Sequence, residues 1–272
     1  MLWLIYANTQ QLIAGDGLTS LLSSLLGIVG AIFANLSGAG GGVVFIPVFS
    51  QLGFSDAQAL GSSFAIQCFG MTAGALTWSM HYRHQHRGDS RWQAFLPSVL
   101  VTGFFSVLGL WTAYSGLTAA PSSLSHSFSI FSILLGLSLL AQVHLFKGRV
   151  NHHNKLHWFD YLALTIIGYF GGMITAWLSV AVGELMVLYL IFRGFCTTMA
   201  IASAVVVTAM TVWSASPIHL AADSFAVWDV VMFAGPAAII GGVLAKTISG
   251  LVSTKTLKTI LGGWILVMGL VG

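Results

Sequence analysis

The stretch "NLSGAGGGVVFIP", Asn35 to Pro47, sets four glycines and a serine inside strongly apolar sequence. Interior glycine costs a helix about 1 kcal/mol relative to alanine, so this run predicts a break where a membrane span would otherwise continue. The apolar arm that follows, Val43–Leu52, ends before Gly53. At 1.5 Å per residue such an arm reaches about 15 Å, half of a hydrocarbon core of about 30 Å. A break joined to an arm this short predicts a helical hairpin whose tip lies near the bilayer midplane.

The rest of the chain fits a membrane setting. Of 272 residues, 57% are hydrophobic and only 6% are Asp, Glu, Lys or Arg. Soluble domains carry roughly a quarter charged residues, and no polar stretch is long enough for a soluble domain. The composition therefore predicts an all-α polytopic membrane protein. The N-terminus, "MLWLIYANTQQLIAGDG", lacks the basic start and small-residue cleavage site of a secretory signal. Cys68 and Cys196 sit in apolar sequence and read as small hydrophobes rather than a disulfide.

Apolar runs between breakers divide the chain into two similar series. The first repeat, 1–146, holds a hairpin over 18–52 and helices over 57–80, 92–114 and 126–146. A linker follows over 147–158. The second repeat, 159–272, holds a hairpin over 161–192 and helices over 198–214, 228–245 and 257–271. Basic residues group in three places: Arg83, Arg87 and Arg91; Lys147, Arg149 and Lys155; Lys246, Lys255 and Lys258. The segments Ser115–Ser125 and Pro217–Val227 carry no Lys or Arg. The positive-inside rule makes the basic loops cytoplasmic and the other two external. Both termini are then external, the first hairpin opens outward and the second inward.

The two breaks align. "LSGAGGGVVFIPVF" (Leu36–Phe49) lies over "LSVAVGELMVLYLI" (Leu178–Ile191), sharing Leu, Ser, Ala and Gly, and "ALGSSFA" (Ala59–Ala65) lies near "AIASAVV" (Ala200–Val206). Three net crossings per half give the halves opposite orientation. Inverted repeats with paired broken segments are a signature of secondary transporters, which bind substrate at the midplane between repeats.

These motifs resemble the sulfite exporter family TauE/SafE, and the resemblance runs from about Leu18 to Gly272. It implies a transporter rather than an enzyme, in a bacterial inner membrane, exporting a sulfur-containing anion such as sulfite or an organosulfonate. The second repeat departs from the glycine pattern at Val180, Val182 and Glu184.

The residues themselves suggest how an anion is held. The first tip, Ser37, Gly38, Ala39, Gly40, Gly41 and Gly42, can turn backbone N–H groups toward one point. The amides starting the next arm add the positive end of a helix dipole. The other reading is that the glycines only permit close helix crossing. Ser62, Ser63 and Gln67 follow on the next helix, and positions 63 and 67 share a face. They either contact the ligand or join helices. Ser179, Gly183, Ser203 and Thr208 are the second-half counterparts.

Glu184, the only Glu in the chain, replaces Gly42 in the alignment. An acid within a span marks a functional site by default. It reads as a proton-coupling group, a tethered anion or a helix cap. Arg193 marks the inner mouth, attracting anions or obeying the positive-inside bias. The expected partners are a small anion, lipid and a coupling proton or sodium ion, with no cofactor, metal or nucleic acid. An anion channel would use the same tips. A membrane metalloenzyme built on "HYRHQHR" and "NHHNKLH" needs about eight histidine ligands, and these loops supply six, with only Asp89 and Asp160 nearby.

Overall fold

The computed structural model describes residues 17–145, 153–221, 223–251 and 253–271. The readings made for the N-terminal segment and for Lys147, Arg149 and His152 lie outside these residues. Within them the chain is helical, without strands.

Helix α1 (Gly17–Ser37) ends at the glycine run, and α2 (Gly42–Gln51) is the short arm. Then come α3 (Asp56–His81), α4 (Phe95–Tyr114) and α5 (Leu124–Leu145). The second series is α6 (Trp158–Leu178), α7 (Val182–Phe192), α8 (Thr197–His219), α9 (Trp228–Leu251) and α10 (Thr254–Val271). Six helices among the described residues (α1, α3, α4, α6, α8 and α9) are long and apolar enough to cross a membrane.

The sequence decides where these helices start and stop. At α3, the Ser55 hydroxyl accepts the Gln58 N–H while Gln58 Oε1 accepts the Ser55 N–H, a reciprocal cap. Helix α1 stops where Gly38 turns left-handed at φ 76°, a conformation open to glycine without steric cost. Helix α8 runs on to His219, past the expected end at 214, with Pro217 in its last turn. His219 stabilises that turn by stacking on Phe64 at 4.3 Å and meeting the Tyr114 hydroxyl at 2.8 Å. The hairpin arms are unequal, 21 and 10 residues in the first half and 21 and 11 in the second. Each first arm is thus long enough to cross a core by itself.

Packing exchanges partners between the halves. Helix α1 lies on α9 and α6 lies on α4, so each long hairpin arm packs on the fourth helix of the other half. Helices α3 and α8 cross at the centre, and α5 packs on α10. Small residues let the backbones approach, as they do between membrane helices. A Cβ at Gly27 or Gly241 would overlap backbone across the α1–α9 seam, and one at Gly172 would do so across α4–α6. Apolar side chains instead face outward at helical spacing, as Leu18, Leu22, Leu25 and Val29 do on α1 and Leu100, Phe104 and Leu108 on α4. An apolar exterior around a core holding buried Ser, Thr, Gln and Glu suits lipid as the outer solvent.

Candidate functional site

The two helix breaks meet at the centre of the protein. In the first, the Ser37 hydroxyl donates to the Phe33 carbonyl at 2.8 Å and accepts the Ala39 N–H at 3.0 Å, closing a local turn. Ala39 is buried. The Gly40 N–H donates to Glu184 Oε1 at 3.0 Å, and the Gly41 N–H donates to Gln67 Oε1 at 2.8 Å. Both amides thus find partners outside their own tip. Gly42 starts α2 against the second tip, where a Cβ would fall 2.5 Å from the Ser179 carbonyl oxygen and 2.6 Å from Val180 Cγ1. The glycines give the close approach and donate toward one region.

The second tip achieves its bend without glycine. Ser179 sits at φ 61° and Ala181 at φ 135°. Such conformations cost of order 1–3 kcal/mol each for residues with a Cβ. Thr175 supports the turn: its carbonyl accepts the Ser179 N–H at 2.8 Å and its hydroxyl accepts the Val182 N–H at 3.2 Å. A Cβ on Gly183 would overlap the Gly38 carbonyl and press on Thr208 Oγ1. The Thr208 hydroxyl is buried and makes no hydrogen bond.

Gln67 joins both tips. While Oε1 accepts from Gly41, Nε2 donates to Ser179 Oγ at 2.7 Å, to Ser63 Oγ at 3.1 Å and to the Ser179 carbonyl at 3.4 Å. Ser63 and Ser179 complete the group with their hydroxyls 2.9 Å apart. The Gly41 donor fixes which end of the amide faces it. The i, i+4 pair on α3 shares one face, as its spacing predicts, and that face meets the junction.

Glu184 occupies the third position of α7. Its Oε2 accepts the Ala181 N–H at 2.9 Å, a cap on its own helix, and its Oε1 reaches across to Gly40. Glu184 is 4% exposed and, among the described residues, its carboxylate has no cationic partner. The N-terminal ends of α2 and α7 converge, each with the positive end of a helix dipole, and one carboxylate lies between them. Beside the first tip is a narrow, largely apolar crevice, too tight to hold a water molecule, bordered by Ala34, Gly41, Phe45, Gln67 and Met71.

Other sequence candidates lie elsewhere. The Ser62 hydroxyl accepts the Val227 N–H at 2.9 Å, tying α3 to the segment before α9. Ser203 donates to the Met199 carbonyl and accepts from Ser98 on α4. Arg193 binds Asp160, with Nε 2.7 Å from Oδ1, while the Tyr189 hydroxyl donates to the same oxygen at 2.6 Å. This cluster clasps the open end of the second hairpin. Asp160 lies one residue before the expected hairpin 161–192, and α6 takes it in by starting at Trp158. Asn35 was missed. Its Nδ2 donates to the Ala31 and Gly70 carbonyls, and its backbone carbonyl accepts from Trp78 Nε1, binding α1 to α3 just before the tip.

Among the described residues no group of three or more His, Cys, Asp or Glu side chains could hold a metal ion. His86 instead stacks on Trp92 at 4.6 Å and meets Asp89 at 3.1 Å, and Asp89 also pairs with Arg91.

Apolar helices around a buried polar junction of two broken segments define an integral membrane protein of the transporter class. The family model described as "Sulfite exporter TauE/SafE" matches residues 23–271, and the chain belongs to that family. Its members are membrane transporters of the sulfite and sulfonate exporter type and not enzymes. A search of curated proteins found no match.

Proposed function

We propose that the protein exports sulfite or a small organosulfonate across a bacterial inner membrane, binding it where the two tips meet. One observation carries the reading: the N-terminal ends of α2 and α7 converge on a buried carboxylate that accepts amides from both tips. A site that holds a carboxylate with backbone donors suits the oxygens of a sulfonate equally well. The contacting groups are the Gly40, Gly41 and Ala181 amides with Ser63, Gln67 and Ser179. Gly38, Ala39, Gly42 and Gly183 give the close fit, Ser37 closes the first turn, and Glu184 couples transport to protons. Ser62 and Ser203 brace neighbouring helices.

The halves act as inverted repeats, a reading supported by the exchanged α1–α9 and α6–α4 packing. The basic loops face the cytoplasm and both termini lie outside. Tips joined by buried hydrogen bonds favour a carrier over an open channel.

Reconstitution into proteoliposomes tests the proposal. Saturable flux of labelled sulfite or methanesulfonate, driven uphill by a proton gradient, is the expected result. No flux of either anion above empty vesicles would overturn it.

A further inference from the structure

Glu184 makes two contacts with different consequences. The bond from Oε2 to the Ala181 N–H closes within α7 and is an ordinary cap. The bond from Oε1 to the Gly40 N–H crosses to the first tip, 144 residues away in sequence, and a cap does not need it. The cross-tip bond places a carboxylate on a donor that the proposed substrate would use. We propose that Glu184 is a tethered competitor of the transported anion. The carboxylate holds the Gly40 amide and the tips together, and substrate takes that place only as Glu184 gains a proton. This inference rests on the transport reading above.

A second, independent feature supports an anion at this point. Thr208 is 2% exposed, its hydroxyl makes no hydrogen bond among the described residues, and it lies beside Gly183 at the start of α7. It is a buried donor without an acceptor, beside the first turn of α7. A sulfonate oxygen entering between the tips gives it one, which the Glu184 carboxylate does not.

The exclusion of two anions follows from charge. At contact distance in a low-dielectric interior, two negative groups repel strongly. Among the described residues no cation shares the site to offset this. The α1 and α2 helices contain no titratable residue. Asp56, Cys68 and His81 on α3, His126 on α5, Asp160, Tyr161 and Tyr169 on α6, Tyr189 on α7 and His219 on α8 make no hydrogen bond to Glu184, whose carboxylate oxygens accept from the Gly40 and Ala181 amides. The site therefore holds one negative charge at a time. The proton comes from the solution on the side the anion enters and adds to a carboxylate oxygen. The Gly40 N–H then passes from Glu184 to the anion, and both ions leave together, so outward flux runs down the combined gradient of anion and proton.

Calorimetry on the purified full chain tests this, with methanesulfonate and sulfite as probes in buffers of different ionisation heat. Where Glu184 is ionised, methanesulfonate, whose own charge does not titrate, is expected to take up about one proton per anion bound. Its affinity is expected to weaken about tenfold per pH unit. In Glu184→Gln that uptake and slope vanish, and binding at alkaline pH becomes tighter than in the natural protein. Binding without proton uptake, or a wild-type slope retained in Glu184→Gln, overturns the role of Glu184, its coupling to protons included, and leaves anion transport through the junction intact. Failure of both anions to bind either protein at any pH refutes the transport reading, and this inference with it. Should Glu184→Gln not fold, proton uptake by the natural protein decides the matter alone.

Discussion

Replacing Gln67 with Leu tests whether the two breaks form one unit. Leucine has nearly the volume of glutamine but removes four hydrogen bonds, to Gly41, Ser63 and, twice, Ser179. Polar contacts between membrane helices average about 0.6 kcal/mol each, which puts their loss at roughly 2–2.5 kcal/mol. The Gly41 N–H is left buried without an acceptor, worth about 1–3 kcal/mol more. Ser63 and Ser179 keep each other, so the lower end applies there. The expected destabilisation is about 3 kcal/mol, read by SDS unfolding in mixed micelles with tryptophan fluorescence. Gln51→Leu, at an exposed position ending α2, is the control. A double-mutant cycle with Ser179→Ala isolates the link between tips, with an expected coupling of about 1 kcal/mol. A loss no larger than the control, together with zero coupling, would refute the reasoning.

Gly42→Ala should abolish flux and lower stability, because its methyl meets the Ser179 carbonyl at 2.5 Å, whereas Gly250→Ala, with nothing within 4 Å, should be silent in the same vesicle assay. Ala181→Gly should stabilise the fold by about 1 kcal/mol by relieving φ 135°, measured by the same unfolding titration; destabilisation would show that the turn is unstrained. Asp160→Asn should cost about 2 kcal/mol: a broken buried ion pair costs roughly 3–5, and Arg193 is 34% exposed. If Arg193 is a clasp, Arg193→Lys should lower stability while leaving substrate affinity unchanged. Asp89 lies outside the spans, and hydrogen bonds from Arg91 hold its carboxyl well below the ordinary range. Such a carboxyl supports its loop at every pH above the ordinary value, about 3.9, and ceases to as pH falls through the lower one. Hydrogen exchange over residues 82–93 should therefore stay protected down to about pH 4, and loosening near pH 5 would contradict the pairing.

How much was legible depended on the kind of physics involved. Glycines in apolar sequence announced the first break, since nothing else explains their helix cost at that depth. The alignment of Leu178–Ile191 found the second break although its glycines are largely gone. The spacing of Ser63 and Gln67 placed both on one face, and that face does point at the tip. Other assignments failed to reach the junction for a reason no single helix contains. Ser62 is adjacent to Ser63 but turned about 100° around the helix, toward Val227. Ser203 sits at a comparable place in the second series, yet faces Ser98 on α4. Asn35 was visible as a polar residue in a span, but its partners, Gly70 and Trp78, lie in another helix.

Sequence by itself determined the solvent, the helices, the two breaks and the family, because hydrophobicity, glycine and local spacing act within a few residues. The tertiary structure decided what the breaks face. Gly40 and Glu184 are 144 positions apart, and only the packing of one half on the other brings the amide to the carboxylate. A donor and its acceptor on separate segments leave no local pattern, so that contact exists only in the folded chain.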